Sequence, residues 1–280
     1  MKVKLSLLAI SIFTLISCKE EKQNKMEETE VSETVATEEK SLEFENKGHE
    51  LVYNMTQKIG DYNKLLEKKD VVFNYTYQTP DNKTNVSTEK YMFDGELSYG
   101  HYTQHERTMP NLEGEIEQGY DGKEYWLKHN GEIVTDTVAL KKVAFNRPTN
   151  FYWFTMMQKL MDPSVNYEYL KEQTIDSTAY DVVKISFDSE DGRPRDIYQV
   201  YINKDTQLID QFLFTVADYK KMTPSLMQLE YVEVDGFLIP SKRRYKNSNW
   251  EAEVTDKPWV HANWTDIKFD NGFTKADFQK

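Results

Sequence analysis

Cysteine is all but absent from this 280-residue chain: the single Cys, Cys18, sits near the N-terminus. No intramolecular disulfide can form, so the fold depends on its core instead of on cross-links. Glycine and proline are also scarce, at 11 and 8. No Gly-rich phosphate loop and no Gly-x-Ser-x-Gly nucleophile turn occurs, so neither nucleotide chemistry nor serine-hydrolase chemistry is signalled. Five histidines offer no ligand set. His101 and His105 fall in a strand pattern, where four residues span about 13 Å, too far to share one ion. His49 reads as a helix-surface residue, and His129 and His261 are isolated. The acidic run Asp188-Ser189-Glu190-Asp191-Gly192 lacks the alternating ligands and terminal Glu of a calcium loop. The sequence therefore nominates no metal, no cofactor and no catalytic residue, and the expectation is a non-enzymatic protein. Basic residues are outnumbered 35 to 47, leaving a net charge of −12, which argues against nucleic acid as a partner.

A hydrophobic run of the ~20 residues needed to span a bilayer is missing as well. The longest apolar stretch, residues 5–16, is shorter and follows Lys2 and Lys4. Charge followed by a short apolar core is the pattern of a secretory signal. It ends at Leu15-Ile16-Ser17-Cys18, which resembles the lipobox of bacterial lipoproteins. The resemblance implies cleavage before Cys18 and lipidation of its thiol, with residues 1–17 as the signal peptide. Lys19-Glu20-Glu21 resembles the short signal that sends some Gram-negative lipoproteins to the outer face of the outer membrane. Residues 19–41 are rich in Glu, Thr, Lys and Ser and carry no aromatic residue. Such a segment buries too little surface to offset the entropy of ordering, and reads as a tether.

What is present in quantity is aromatic side chains, 13% of the chain, with 18 tyrosines. They favour strands. Residues 42–59 carry helical spacing and Gly60 ends them; 61–68 suggest a second, short helix. From residue 70 the period becomes two, as in Val71, Phe73, Tyr75 and Tyr77. Strands are expected near 86–93, 97–102, 116–120, 123–129, 167–174, 179–187, 197–202, 208–216, 227–234, 237–245 and 259–269. Asp121-Gly122 and Asn130-Gly131 are hairpin dipeptides. Short strands joined by short turns pair with their sequence neighbours, giving an antiparallel meander. The rhythm breaks at 137–162. A short helix is expected over 137–146, an interruption at Pro148, and a second helix capped by Asn150. That second helix is apolar nearly all round and must be buried on every side.

An N-terminal helix, a long meander broken by apolar helices, and the return strand Gly236-Phe237-Leu238-Ile239-Pro240 together resemble the LolA/LolB superfamily of lipoprotein-sorting proteins. The ending from Asn271-Gly272-Phe273 to Phe278 fits as well. The similarity covers residues 45–280. It implies a mainly β, α+β protein: an unclosed antiparallel β-barrel, a LolA-like half-barrel, with an N-terminal helix and an apolar helical plug, forming one domain over 42–280. It also implies a greasy cavity for acyl chains. The soluble carrier of that superfamily is not lipidated, so the lipobox departs from it and disfavours a free shuttle.

Two readings follow. In the first, a lipid-anchored envelope protein binds a lipid or other apolar molecule, with Phe151, Trp153, Phe154, Met157 and Leu160 lining the site. In the second, the barrel is fully packed and the surface docks an envelope protein. A cavity of ~300 Å³ or more separates them. A third reading, a hydrolase, needs convergent polar groups that the sequence does not nominate. Lys242-Arg243-Arg244, the one basic cluster, alternates faces on a strand and reads mainly as a balance to the acidic surface, with an anionic headgroup site as the lesser alternative.

Overall fold

The computed structural model describes residues 42–189 and 192–280. The region from Glu43 to Lys280 forms one compact unit. Cys18, Lys19, Glu20, Glu21 and the tether lie outside the described residues, as do Glu190 and Asp191 of the acidic loop.

Helix α1 (Lys47–Ile59) starts later than its apolar spacing suggests, because Asn46 caps it by accepting the His49 backbone N–H at 3.1 Å. Its buried stripe is Val52, Met55 and Ile59. Gly60 ends it at φ +94, and a Cβ there would lie 2.5 Å from the Phe237 ring. Helix α2 (Tyr62–Glu67) follows at once, capped by Asp61.

Thirteen strands then form a single antiparallel sheet. The first six run out to one edge: β1 (Asp70–Gln78), β2 (Thr84–Met92), β3 (Leu97–His105), β4 (Ile116–Tyr120), β5 (Tyr125–His129) and the two-residue β6 (Glu132–Ile133). The other seven return from the opposite edge: β7 (Val165–Ile175), β8 (Thr178–Phe187), β9 (Ile197–Asn203), β10 (Ile209–Val216), β11 (Lys221–Val234), β12 (Phe237–Asn247) and β13 (Val260–Phe269). The spatial order is 6-5-4-3-2-1-13-12-11-10-9-8-7. The first and last strands therefore meet in the middle, and β6 and β7 are the two free edges. Apart from the β1–β13 seam every pairing is between sequence neighbours, as the expected meander requires, and the barrel is not closed.

Between the edges runs α3 (Thr137–Lys159), 23 residues or about 35 Å long. It is one helix, not the expected two, and Pro148 lies inside it. Proline removes a donor, so the Ala144 carbonyl loses its intrahelical partner, at a cost of about 3 kcal/mol. Burial on both sides of Pro148 overrides that cost: Arg147 is fully buried before it and Phe151 after it.

The sheet curls around this helix. Laid flat, thirteen strands would be about 58 Å wide, far more than one helix can cover. Yet Val143 packs with Tyr102, Ile116 and Leu127. Phe151 and Phe154 pack with Phe73, Tyr91, Phe93 and Trp264. Met156, Met157 and Leu160 pack with Val183, Ile185, Val200 and Phe212. Strands from both halves of the sheet thus touch α3, which explains why its C-terminal half is apolar all round.

Candidate ligand-binding cavity

The packing leaves a cavity of about 570 Å³ between the Pro148 region of α3 and the inner face of the sheet. Its helical wall is centred on Ala144, Pro148 and Tyr152, at the four-residue spacing that puts side chains on one helix face. Its sheet wall comes from strand alternation. Tyr75 and Tyr77 of β1, Arg243 and Tyr245 of β12, Phe214 of β10 and Tyr198 of β9 all point inward. At the rim, Phe145 and Tyr219 meet edge to face at 5.0 Å.

The wall is aromatic but not inert. The Tyr77 and Tyr245 hydroxyls hydrogen-bond to each other, and the Tyr198 hydroxyl donates to that of Tyr152 at 3.3 Å. Burial disfavours the phenolates. It pushes Tyr75 up to about 12 and Tyr152 up to about 12, and Tyr198 well above its usual range. These hydroxyls stay protonated near neutral pH and present neutral donors. Burial also raises Asp196, which accepts the Ala217 N–H at 2.7 Å, and lowers Lys221. Both line the cavity, as do Arg107 and Asp218.

Arg243 is the most confined charge of the wall, 4% exposed. Its guanidinium carbon lies 3.5 Å from the centre of the Trp264 ring, and its Nε donates to the Ala262 carbonyl at 3.3 Å. Burial lowers its pKa to about 10, so it remains a cation at neutral pH. Arg107 lies 4.5 Å above the Tyr77 ring.

Of the five side chains expected around a ligand, the structure brings only Trp153 to the cavity. Phe151 and Phe154 face the other way, into the aromatic cluster under β1, β2 and β13, where Phe154 stacks on Phe73 at 5.0 Å. Met157 and Leu160 pack against Val183, Ile185 and Phe212. The reason is angular. With 3.6 residues per turn, the face that follows Ala144 and Pro148 continues through Tyr152, and the larger hydrophobes fall on the faces the sheet already covers. The tyrosines of the sheet wall were visible in the sequence only as the inward face of alternating strands.

An unclosed antiparallel half-barrel with a helix across its inner face is the class that this architecture defines, and it is the one the LolA/LolB resemblance implied. Residues 116–259 match the model of DUF6503, a family of unknown function, and the chain belongs to that family. No curated protein matches the sequence. Among solved structures, a DUF1329 family protein from Desulfovibrio piger shares the fold with a TM-score of 0.50 at 12% identity, over 83% of this chain and 95% of that one. A putative outer membrane lipoprotein-sorting protein domain from Vibrio parahaemolyticus aligns with a TM-score of 0.47 at 10% identity, over 83% and 96%. A LolA superfamily protein from Nitrosomonas europaea aligns with a TM-score of 0.45 at 11% identity, over 79% and 98%.

Proposed function

We propose that this chain is a lipoprotein of the bacterial cell envelope that holds a lipid or other apolar molecule in its half-barrel by burial, without covalent chemistry. The observation that carries the reading is the cavity. At about 570 Å³ it falls within the size range of ligand sites, and it combines aromatic walls with a few placed polar groups. A ligand there would gain roughly 25 cal/mol for each Å² of apolar surface removed from water. In this reading residues 1–17 are the signal peptide, and Cys18 carries the acyl anchor to the outer membrane. Lys19-Glu20-Glu21 directs export to its outer face, 19–41 are the tether, and 42–280 are the binding domain. Trp153 is the one residue of the expected set retained in the site.

Native mass spectrometry with lipid extraction tests the binding reading. The sample is the chain from residue 18 onward with Cys18→Ser, so that no acyl anchor competes for the cavity. A stoichiometric co-purified lipid is the expected result. A clean apo mass, unchanged after incubation with lipids, would favour the envelope interaction module instead. The anchor has its own test. Labelled palmitate should enter the wild-type protein in a bacterial host and be lost in Cys18→Ala.

A further inference from the structure

The cavity contains a charge that apolar binding alone does not call for. Lys242, Arg243 and Arg244 lie side by side on β12, but their fates differ. Lys242 points outward and pairs with Glu230 at 3.1 Å. Arg244 also points outward, donating to Gln228 at 2.8 Å and lying 4.6 Å over Trp259. Arg243 points inward, is 4% exposed and lines the cavity. Among the described residues no carboxylate is paired with it.

The same molecule shows how it neutralises a buried guanidinium when the role is structural. Arg147 is fully buried, and it has Glu89 at 2.9 Å and the Tyr102 hydroxyl at 2.9 Å. Arg243 has a carbonyl, an indole face and the neutral Tyr75 side chain instead. An indole face attracts a cation and leaves its charge uncancelled. Taking a cation out of water without a counter-charge is unfavourable, and such a site is completed by an anion. A second guanidinium reinforces it. Arg107 lies over Tyr77; Tyr77 faces Ala262 across the β1–β13 ladder, and Ala262 faces Arg243 across the β12–β13 ladder. The acidic groups of the wall enter elsewhere: Asp196 precedes β9 and Asp218 follows β10, on the far side of β11 from Arg243.

We propose that Arg243 receives the anionic oxygen head, a carboxylate or phosphate, of an amphiphile whose apolar chain lies along the tyrosine-lined wall. The inference rests on the cavity being a ligand site. Guanidinium suits this role because its planar fork matches either head with two parallel hydrogen bonds.

The test uses the chain from residue 18 onward with Cys18→Ser and displacement of a neutral fluorescent naphthylamine at pH 7.5. Four probes share a twelve-carbon chain: dodecanoate, dodecyl phosphate, dodecanol and dodecyltrimethylammonium. The two anions should bind at least tenfold more tightly than dodecanol, with the cation weakest. Whichever anion leads distinguishes a free fatty acid from a phosphate-bearing head, and either order supports the proposal. Arg243→Met should bring both anions to the dodecanol level while dodecanol is unchanged, and Arg243→Lys should restore part of the preference. Equal binding of all four probes by the wild-type chain would overturn the proposal and leave the cavity reading standing. Binding of none, dodecanol included, would remove both. If Arg243→Met does not fold, Arg107→Met run through the same series decides: an anion preference retained there supports Arg243, and one lost there overturns the assignment.

Discussion

The Arg147 guanidinium meets the Glu89 carboxylate at 2.9 Å with both side chains at 0% exposure, and this pair ties α3 to β2. Ser87 and Tyr91 donate to the same carboxylate at 2.7 and 3.2 Å. Burial by itself would lower the Arg147 pKa, but the Glu89 charge and hydrogen bond, together with Tyr102 and Tyr91, outweigh it and the net shift is upward. Removing one partner leaves an uncompensated buried charge, which costs about 3–5 kcal/mol. Glu89→Gln and Arg147→Met should each lower stability by about that amount in urea unfolding. The double variant should lose less than the sum of the two. Single variants within 1 kcal/mol of wild type would contradict this account.

Gly100 gives that pair its room. A Cβ at this position would lie 2.7 Å from Arg147 Nη1 and 2.9 Å from Glu89 Oε1. Neither group can move without losing its partner. Gly100→Ala should therefore destabilise the protein by about 1–3 kcal/mol, the range for overpacking. Combining it with Arg147→Ala should relieve the clash, which a double-mutant cycle would read as a favourable coupling.

Phe154 is a core side chain, so its substitution acts on folding before it acts on binding. It is 5% exposed, stacks on Phe73 and lies 5.1 Å from Trp264. Phe154→Ala should cost about 3–5 kcal/mol, measured by thermal or urea unfolding. Tyr152, which does line the cavity, gives the contrasting case. Tyr152→Phe should cost less, at most about 1–3 kcal/mol for leaving the Tyr198 hydroxyl without its acceptor, while altering ligand affinity.

Asp196 should make stability depend on pH. Burial raises its pKa in the folded protein, aided by the charge of Asp218, although the Ala217 N–H opposes the shift. The native state thus holds this proton more tightly than the unfolded chain does. The resulting stabilisation is fully present below the unfolded value and is lost as pH rises through the folded one. At neutral pH the ionised carboxylate is a liability. Asp196→Asn should raise the unfolding midpoint at pH 7 and leave it unchanged at pH 3. An equal effect at both values would show that its charge is irrelevant.

Strands with a wet and a dry face were legible by period two, whereas β9 and β10, buried on both faces, read as short apolar runs between turns. Val71, Phe73, Tyr75 and Tyr77 announce β1 by alternation alone. The continuity of α3 was not legible, because Pro148 is a local signal for a break and only burial by distant strands outweighs it. Glu89 and Arg147 lie 58 residues apart, and no local pattern marks either as buried before the fold brings them together. The cavity was half legible. An all-apolar helix pointed to an enclosed interior, yet which of its faces stays open depends on what the sheet covers. Arg243 was visible only as the middle of a basic triplet, and period-two geometry then singled it out as the member that turns inward.

The meeting of β1 and β13 sets a timetable for the molecule's birth. Asp70 accepts backbone N–H groups from Asn271, Gly272 and Phe273, more than 200 residues later in the chain. A polypeptide emerges N-terminus first, from a ribosome or through a translocation pore. Until the last strand arrives, β1 is an unpaired edge with its hydrogen-bonding groups open. The sheet is then completed by a contact between the two ends of the domain, the kind of non-local closure that is slow to form. A chain halted before residue 260 would keep both halves of the meander and lack the seam that joins them. It would be an exposed intermediate for chaperones to hold and proteases to find.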